Sequence, residues 1–212
     1  MRFLPIINYA FNYVIHNCKK MNIDESHALR HSMDVFHFAN KIYDSEILKN
    51  PLLKTQQNII MCSSILHDMC DKKYMNEQEG IDNMNAFMKD FISKDDLFVI
   101  NSIISSMSYS TVKKKGYPEL NEYNLAYHIV RESDLLAAYD VERCIIYQMM
   151  HDKYDYDTSL ICAKELFNKR ILCYIDDNLF VTKYSKEVSI HLHNDALKKI
   201  VELDKIYEYL QL

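Results

Sequence analysis

The sequence predicts an all-α fold, a single-domain helical bundle. Only 2 glycines and 3 prolines punctuate 212 residues, too few for the turns of a sandwich, a barrel or a glycine-rich nucleotide fold. Hydrophobic residues make up 49% of the chain and recur at helical spacing along most of it. One stretch alone, Tyr174 to Val181, reads as extended.

The elements follow in order. Residues 4–21 form a first helix, with Ile6, Ile7, Ala10, Phe11, Val14 and Ile15 as its apolar stripe. Asp24 is a good N-cap for a second helix over 25–44, with Glu25 in its first turn. Leu29, Met33, Val35, Phe36, Ala39 and Ile42 give that helix a broad buried face. Pro51 closes a connection, and a third helix runs from Leu52 to His67. Amphipathic segments at Glu77 to Phe91 and Lys94 to Met107 follow. Ser108 to Pro118 holds a glycine, a proline and three lysines, and reads as a loop. Leu120 to Met150 is long enough for two helices or one kinked one. Asp157 to Leu172 and Lys183 to Leu210 complete the chain. A single domain is the simplest division: a core over 22–150 with the helices of 157–212 packed on it.

The formal net charge is −5, so no global basic field recruits nucleic acid. Six cysteines occur without a C-x-x-C pair, which favours a reduced, cytoplasmic protein over a disulfide or cysteine–zinc framework. The apolar N-terminus is interrupted by Asn8, Asn12, His16 and Asn17 and lacks a small-residue cleavage site. No apolar run is long enough for a membrane span, so the expectation is a soluble monomer or homodimer.

The chemistry centres on NIIMCSSILHDMCDKKY, Asn58 to Tyr74. An apolar helical run there delivers His67 and Asp68 side by side, and a buried imidazole and carboxylate must be paired, hydrogen-bonded or bound to metal. His27 and His31 lie four apart and would share a face of the second helix. Further on, Asp134 is flanked by Ile129, Val130, Leu135 and Leu136. A second pair, His151-Asp152, leads into a polar run and reads as a solvated helix end. Two imidazoles and two carboxylates make a mixed nitrogen–oxygen set. That set suits Mn²⁺, Fe²⁺ or Zn²⁺, with Mg²⁺ admitted but less natural.

His31, His67-Asp68 and Asp134, in that order, resemble the H…HD…D signature of the HD-domain metal-dependent phosphohydrolases. Ser26 to His31, followed by Val35 and Ala39, is similar to the S-H-x-x-x-H-x-x-x-V segment of a small stand-alone branch. H-D-M-C-D-K-K-Y is similar to that branch's H-D-x-x-D-x-K-[FY], and Ile103-Ile104 through Tyr109 resembles its I-I…I-S-F string. The resemblance covers residues 25–140 and extends loosely over the rest. It implies a helical enzyme that hydrolyses a small phosphorylated substrate, a nucleotide above all, with His31, His67, Asp68 and Asp134 as metal ligands. It departs around the last ligand, where E-S-D-L-L-A-A replaces D-A-D-x-L-D-A, and the glycine-rich continuation is absent. The alternative is a decayed member that binds metal and nucleotide as a sensor or interaction module.

Roles follow from that resemblance. Asp71 would orient the attacking water or act as general base. Lys73 would neutralise phosphate oxygens, aided by Arg30 or Arg131. His27 would contact phosphate or support His31, with a second metal left open. Lys113 to Lys115 form either a cationic rim or an ordinary solvated loop.

Overall fold

A computed structural model describes residues 3–210. Its ten α-helices are α1 (Phe3–Met21), α2 (Leu29–Glu46), α3 (Leu53–Leu66), α4 (Glu77–Met88) and α5 (Lys94–Ser106), then α6 (Tyr109–Lys115), α7 (Asn124–Ala137), α8 (Val141–Met150), α9 (Tyr156–Lys169) and α10 (Lys183–Leu210). Short 3₁₀ turns occur at Asn121–Tyr123 and Ile171–Cys173. No strand occurs among the described residues, so the fold is all-α. None of their helices is long and apolar enough to cross a membrane.

α3 is the axis of the bundle. Every residue from Ile59 to Leu66 is buried, which is what a helix enclosed on all sides requires. It packs against α1, α2, α5 and α7. Ser64 is accommodated inside because its Oγ donates back to the Met61 carbonyl at 2.8 Å. α7 is built the same way, with Ser133 bonding back to Val130 at 2.6 Å. One hydrophobic core runs from Ile6 in α1 to Leu203 in α10.

Three expectations are corrected. Asp24 does not cap the second helix, which begins only at Leu29. Its Oδ1 instead accepts from the Ser26 N–H at 3.0 Å and from Ser26 Oγ, and its Oδ2 accepts from Tyr74 at 2.6 Å. His27 therefore lies in the turn before α2 and does not share a helix face with His31. The stretch 108–118 is not all loop, because α6 occupies its centre. Ser108 caps it by accepting from the Thr111 N–H at 3.2 Å, the three lysines suit its C-terminal end, and Gly116 stops it at φ 78°. Residues 174–178 are turns and 179–181 are irregular, with no strand there. The Leu179 N–H closes back on the Tyr174 carbonyl at 3.1 Å.

The segment entering α10 is clamped to α7 by Glu132. This carboxylate is fully buried and accepts from the Val181 N–H at 2.7 Å, the Thr182 N–H at 3.1 Å and Thr182 Oγ1 at 2.6 Å. Arg131 Nη2 lies 3.7 Å from it and also donates to the Leu179 carbonyl. Removing one partner of such a buried set is costly. Glu132→Ala is expected to destabilise the protein by about 3–5 kcal/mol in urea unfolding, and a loss below about 1 kcal/mol would refute the clamp.

Candidate metal centre

Three helices aim their polar side chains at one point. His31 sits in the first turn of α2, His67 caps the end of α3 with Asp68 next to it, and Asp134 lies in α7. His31 Nε2 is 3.1 Å from His67 Nε2, and each of these atoms is 3.3 Å from Asp68 Oδ2. Asp134 Oδ1 is 3.3 Å from His31 Nε2 and 3.6 Å from His67 Nε2. His31, His67 and Asp134 form the set whose donors are all mutual neighbours. Asp68 joins it through the two imidazoles.

The helix end decides which nitrogen of His67 faces inward. Its Nδ1 lies 2.9 Å from the Ser64 carbonyl, one of the acceptors that a helix C-terminus leaves unpaired. Nδ1 therefore carries the hydrogen, and the Nε2 lone pair points at the centre. The imidazoles are almost fully enclosed, whereas the side chains of Asp68 and Asp134 are 15% and 25% exposed. The centre opens on its carboxylate side.

Charge in this enclosure is redistributed. Burial opposes protonation of His67, but Asp68 and Asp134 outweigh it and raise the ring to about 9. Burial and the nearby Arg143 push His31 down to about 4, against the pull of both carboxylates. Burial likewise opposes ionisation of Asp68 and Asp134, yet His67 and His31 hold both well below the usual carboxylate range. The metal-free site thus holds one proton between two carboxylates.

A divalent ion fits in its place. Bonds of about 2.0–2.2 Å to nitrogen and oxygen put neighbouring donors about 2.8–3.6 Å apart in octahedral or tetrahedral coordination, which matches these separations.

Beside the centre lies a hydrogen-bonded chain. Lys73 Nζ is 3.2 Å from His27 Nε2. Burial, aided by Lys73 and Arg143 and opposed by Asp68, pushes His27 down to about 3, so the ring is neutral and accepts from Lys73. Its Nδ1–H then donates to Ser26 Oγ at 2.6 Å, and Ser26 and Tyr74 both donate to Asp24. Asp71 turns back on Lys73, accepting its backbone N–H at 2.8 Å and lying 3.5 Å from its ammonium. The Asp71 backbone N–H donates to the Asp68 carbonyl at 3.3 Å, and its carboxylate has no hydrogen bond to the four central side chains.

The remaining candidates lie elsewhere. Arg30 is exposed and paired with Asp34 at 2.9 Å, because one residue's rotation along α2 turns it away from the face of His31. Arg131 is engaged by Glu132 and Leu179. His151 is a solvated helix end as expected, 2.9 Å from Asp152. The fold also recruits residues that no motif marked. Arg143 donates to the Ser26 carbonyl at 3.3 Å, and Tyr147 presents its ring 5.3 Å from Lys73 Nζ. The lysine–tyrosine ending of HDMCDKKY signalled Tyr74; nothing in the sequence signalled Arg143.

No protein-family model and no curated protein matches the chain. Solved structures do. A Lactobacillus plantarum protein, determined as a structural genomics target, aligns with TM-score 0.71 and 18% identity over 98% of this chain and 97% of its own. Bacillus subtilis YpgQ aligns with TM-score 0.62 and 19% identity over 97% of each chain. The likeness is one of fold. It places all the described helices of this chain within a known helical architecture.

Added Mn²⁺ is expected to raise the melting temperature, by about 2.7 kcal/mol of stabilisation at a hundred times the dissociation constant. His31→Ala, His67→Ala, Asp68→Ala and Asp134→Ala should each abolish the response, and His151→Ala should retain it. An unresponsive wild type would refute the site. The response should also depend on pH. His67 has a folded pKa above its unfolded value of about 6.5. Its proton therefore stabilises the metal-free fold below that value and ceases to do so as pH rises through about 9. The ion displaces this proton, so the Mn²⁺-induced gain should grow from pH 6.5 to 8.5, while His31 and His27 stay neutral. A constant gain would place the displaced proton elsewhere.

Proposed function

We propose that this protein is an HD-type metal-dependent phosphohydrolase acting on a small phosphorylated molecule, a nucleotide being the leading class. The observation that carries the reading is the convergence of His31, His67, Asp68 and Asp134, in the order H…HD…D, on one point with ion-sized donor spacing. The second support is a cation, Lys73, held next to that point by His27. A divalent ion bound there supplies Lewis acidity and a water of lowered pKa.

The chain's own groups do the rest. Lys73 binds a non-bridging phosphate oxygen and offsets its charge. Its side chain is 42% exposed, open enough to receive a ligand. Neutral His27 orients the ammonium, since a protonated ring would repel it. Asp24, Ser26 and Tyr74 fix the tautomer that makes this contact. Asp71, 3.5 Å from the Lys73 ammonium, holds it as well, a positioning role beside the water-orienting or general-base role that the resemblance implies. Arg143, near His27 and His31, adds positive charge for an anionic substrate.

The test is a screen of Mn²⁺-loaded protein against nucleoside mono-, di- and triphosphates with product identification. Orthophosphate from monophosphates marks a phosphomonoesterase, and pyrophosphate from triphosphates a pyrophosphohydrolase. No turnover with any of them would favour the metal- and nucleotide-binding alternative. Once a substrate is found, Lys73→Ala should raise KM, increasingly so with substrate charge. Asp71→Asn should act chiefly on KM in the same way. A fall in kcat of about 10²–10⁴-fold at unchanged KM would mark Asp71 as general base.

A further inference from the structure

Lys113 and Arg131, two cations that the metal centre does not use, meet at one cavity. It has a volume of about 380 Å³ and includes neither the four central residues nor His27 or Lys73 in its wall. That volume falls within the range of small-molecule sites, about 300–1,000 Å³.

The wall has two chemical halves. Lys113 and Arg131 supply positive charge in the wall, and Arg170, outside it, adds a third cation stacked on the wall residue Tyr109, its guanidinium 4.4 Å from the ring centre. Two acids oppose these three cations: Asp177 in the wall, and Glu132 beside Arg131 at 3.7 Å. The balance is positive. The other half is apolar, with Val112, Leu179 and the ring of Tyr117, which is 46% exposed.

Arg131 keeps donor capacity that the protein does not use up. Its residue is 2% exposed, and the clamp to Glu132 and Leu179 occupies only its Nη2 end. The Nε–H is buried and finds no acceptor among the described residues. Buried donors are rarely left so, because an unmade hydrogen bond costs more than a made one contributes. The guanidinium is also stacked 4.9 Å from the Tyr117 ring centre, so aromatic surface and unmet charge adjoin.

We propose that this cavity binds a small organic anion carrying a planar ring, its phosphate, phosphonate or carboxylate group held by Lys113 and Arg131 and its ring by Tyr117, Val112 and Leu179. The site is separate from the metal centre, and its occupancy does not require a metal.

The test uses phenylphosphonate, a ring-bearing anion without a hydrolysable ester bond, titrated by NMR into the full chain, with methylphosphonate as the ringless control. Saturable phenylphosphonate binding, tighter than that of methylphosphonate, is expected. Lys113→Met should weaken it about tenfold, and Tyr117→Ala, at an exposed position, about three- to tenfold. His67→Ala, which disables the metal centre, should leave it unchanged. Absence of saturable binding would overturn the proposal. So would loss in His67→Ala with retention in Lys113→Met, which would assign the anion to the metal centre. Equal affinity for the two phosphonates would overturn the assignment of a ring-binding half.

Discussion

Two imidazoles and two carboxylates with donor atoms 3.1–3.6 Å apart cannot coexist in an enclosed pocket as bare groups. The neutral His67 ring turns its Nε2 lone pair inward, and the two carboxylates repel each other when charged. A shared positive charge resolves the conflict. In the metal-free protein a proton on His67 serves, and an ion with ligands on all sides does so better. The desolvation of each group is tolerable only because the others supply its partner. The centre and the fold are thus mutually dependent: α2, α3 and α7 must meet for the donors to meet, and the donors must be reconciled for those helices to stay packed.

The architecture assigns different tasks to its layers. α3 is apolar around its circumference, so it can be buried and hold His67 and Asp68 at its end. α2 and α7 flank it and contribute His31 and Asp134 to the cluster. The exposed edge of the centre lies on its carboxylate side, and Lys73 is held 3.2 Å from His27, in a chain that runs on through Ser26 to Asp24. Tyr74 closes that chain from below. On the other flank of α7, Glu132 spends its hydrogen bonds on 181–182 and leaves Arg131 half-satisfied at the second cavity.

The parts of this arrangement that were legible in the sequence are those with order and spacing. His67-Asp68 after an apolar helix, Asp134 within another and a histidine ahead of both are local facts that survive folding. The helices themselves follow from apolar periodicity. What escaped was set by long-range contact. An Asp at a helix start and an Asp in a side-chain-closed turn look alike locally; Tyr74, distant in sequence, decides which Asp24 is. Ser108 was hidden as a cap by the glycine, proline and lysines that follow it. Arg30 was misplaced by helix phase, since its neighbour His31 points inward. Arg143 belongs to a segment without a motif, and only the packing of α8 on the turn before α2 brings its charge to His27.

The most direct measurement is the position of the ion itself. Crystals grown with Mn²⁺ should show, by anomalous scattering, one ion at about 2.0–2.3 Å from His31 Nε2, His67 Nε2, an Asp68 oxygen and an Asp134 oxygen. An ion bound elsewhere, or those four side chains separated from one another, would contradict the account.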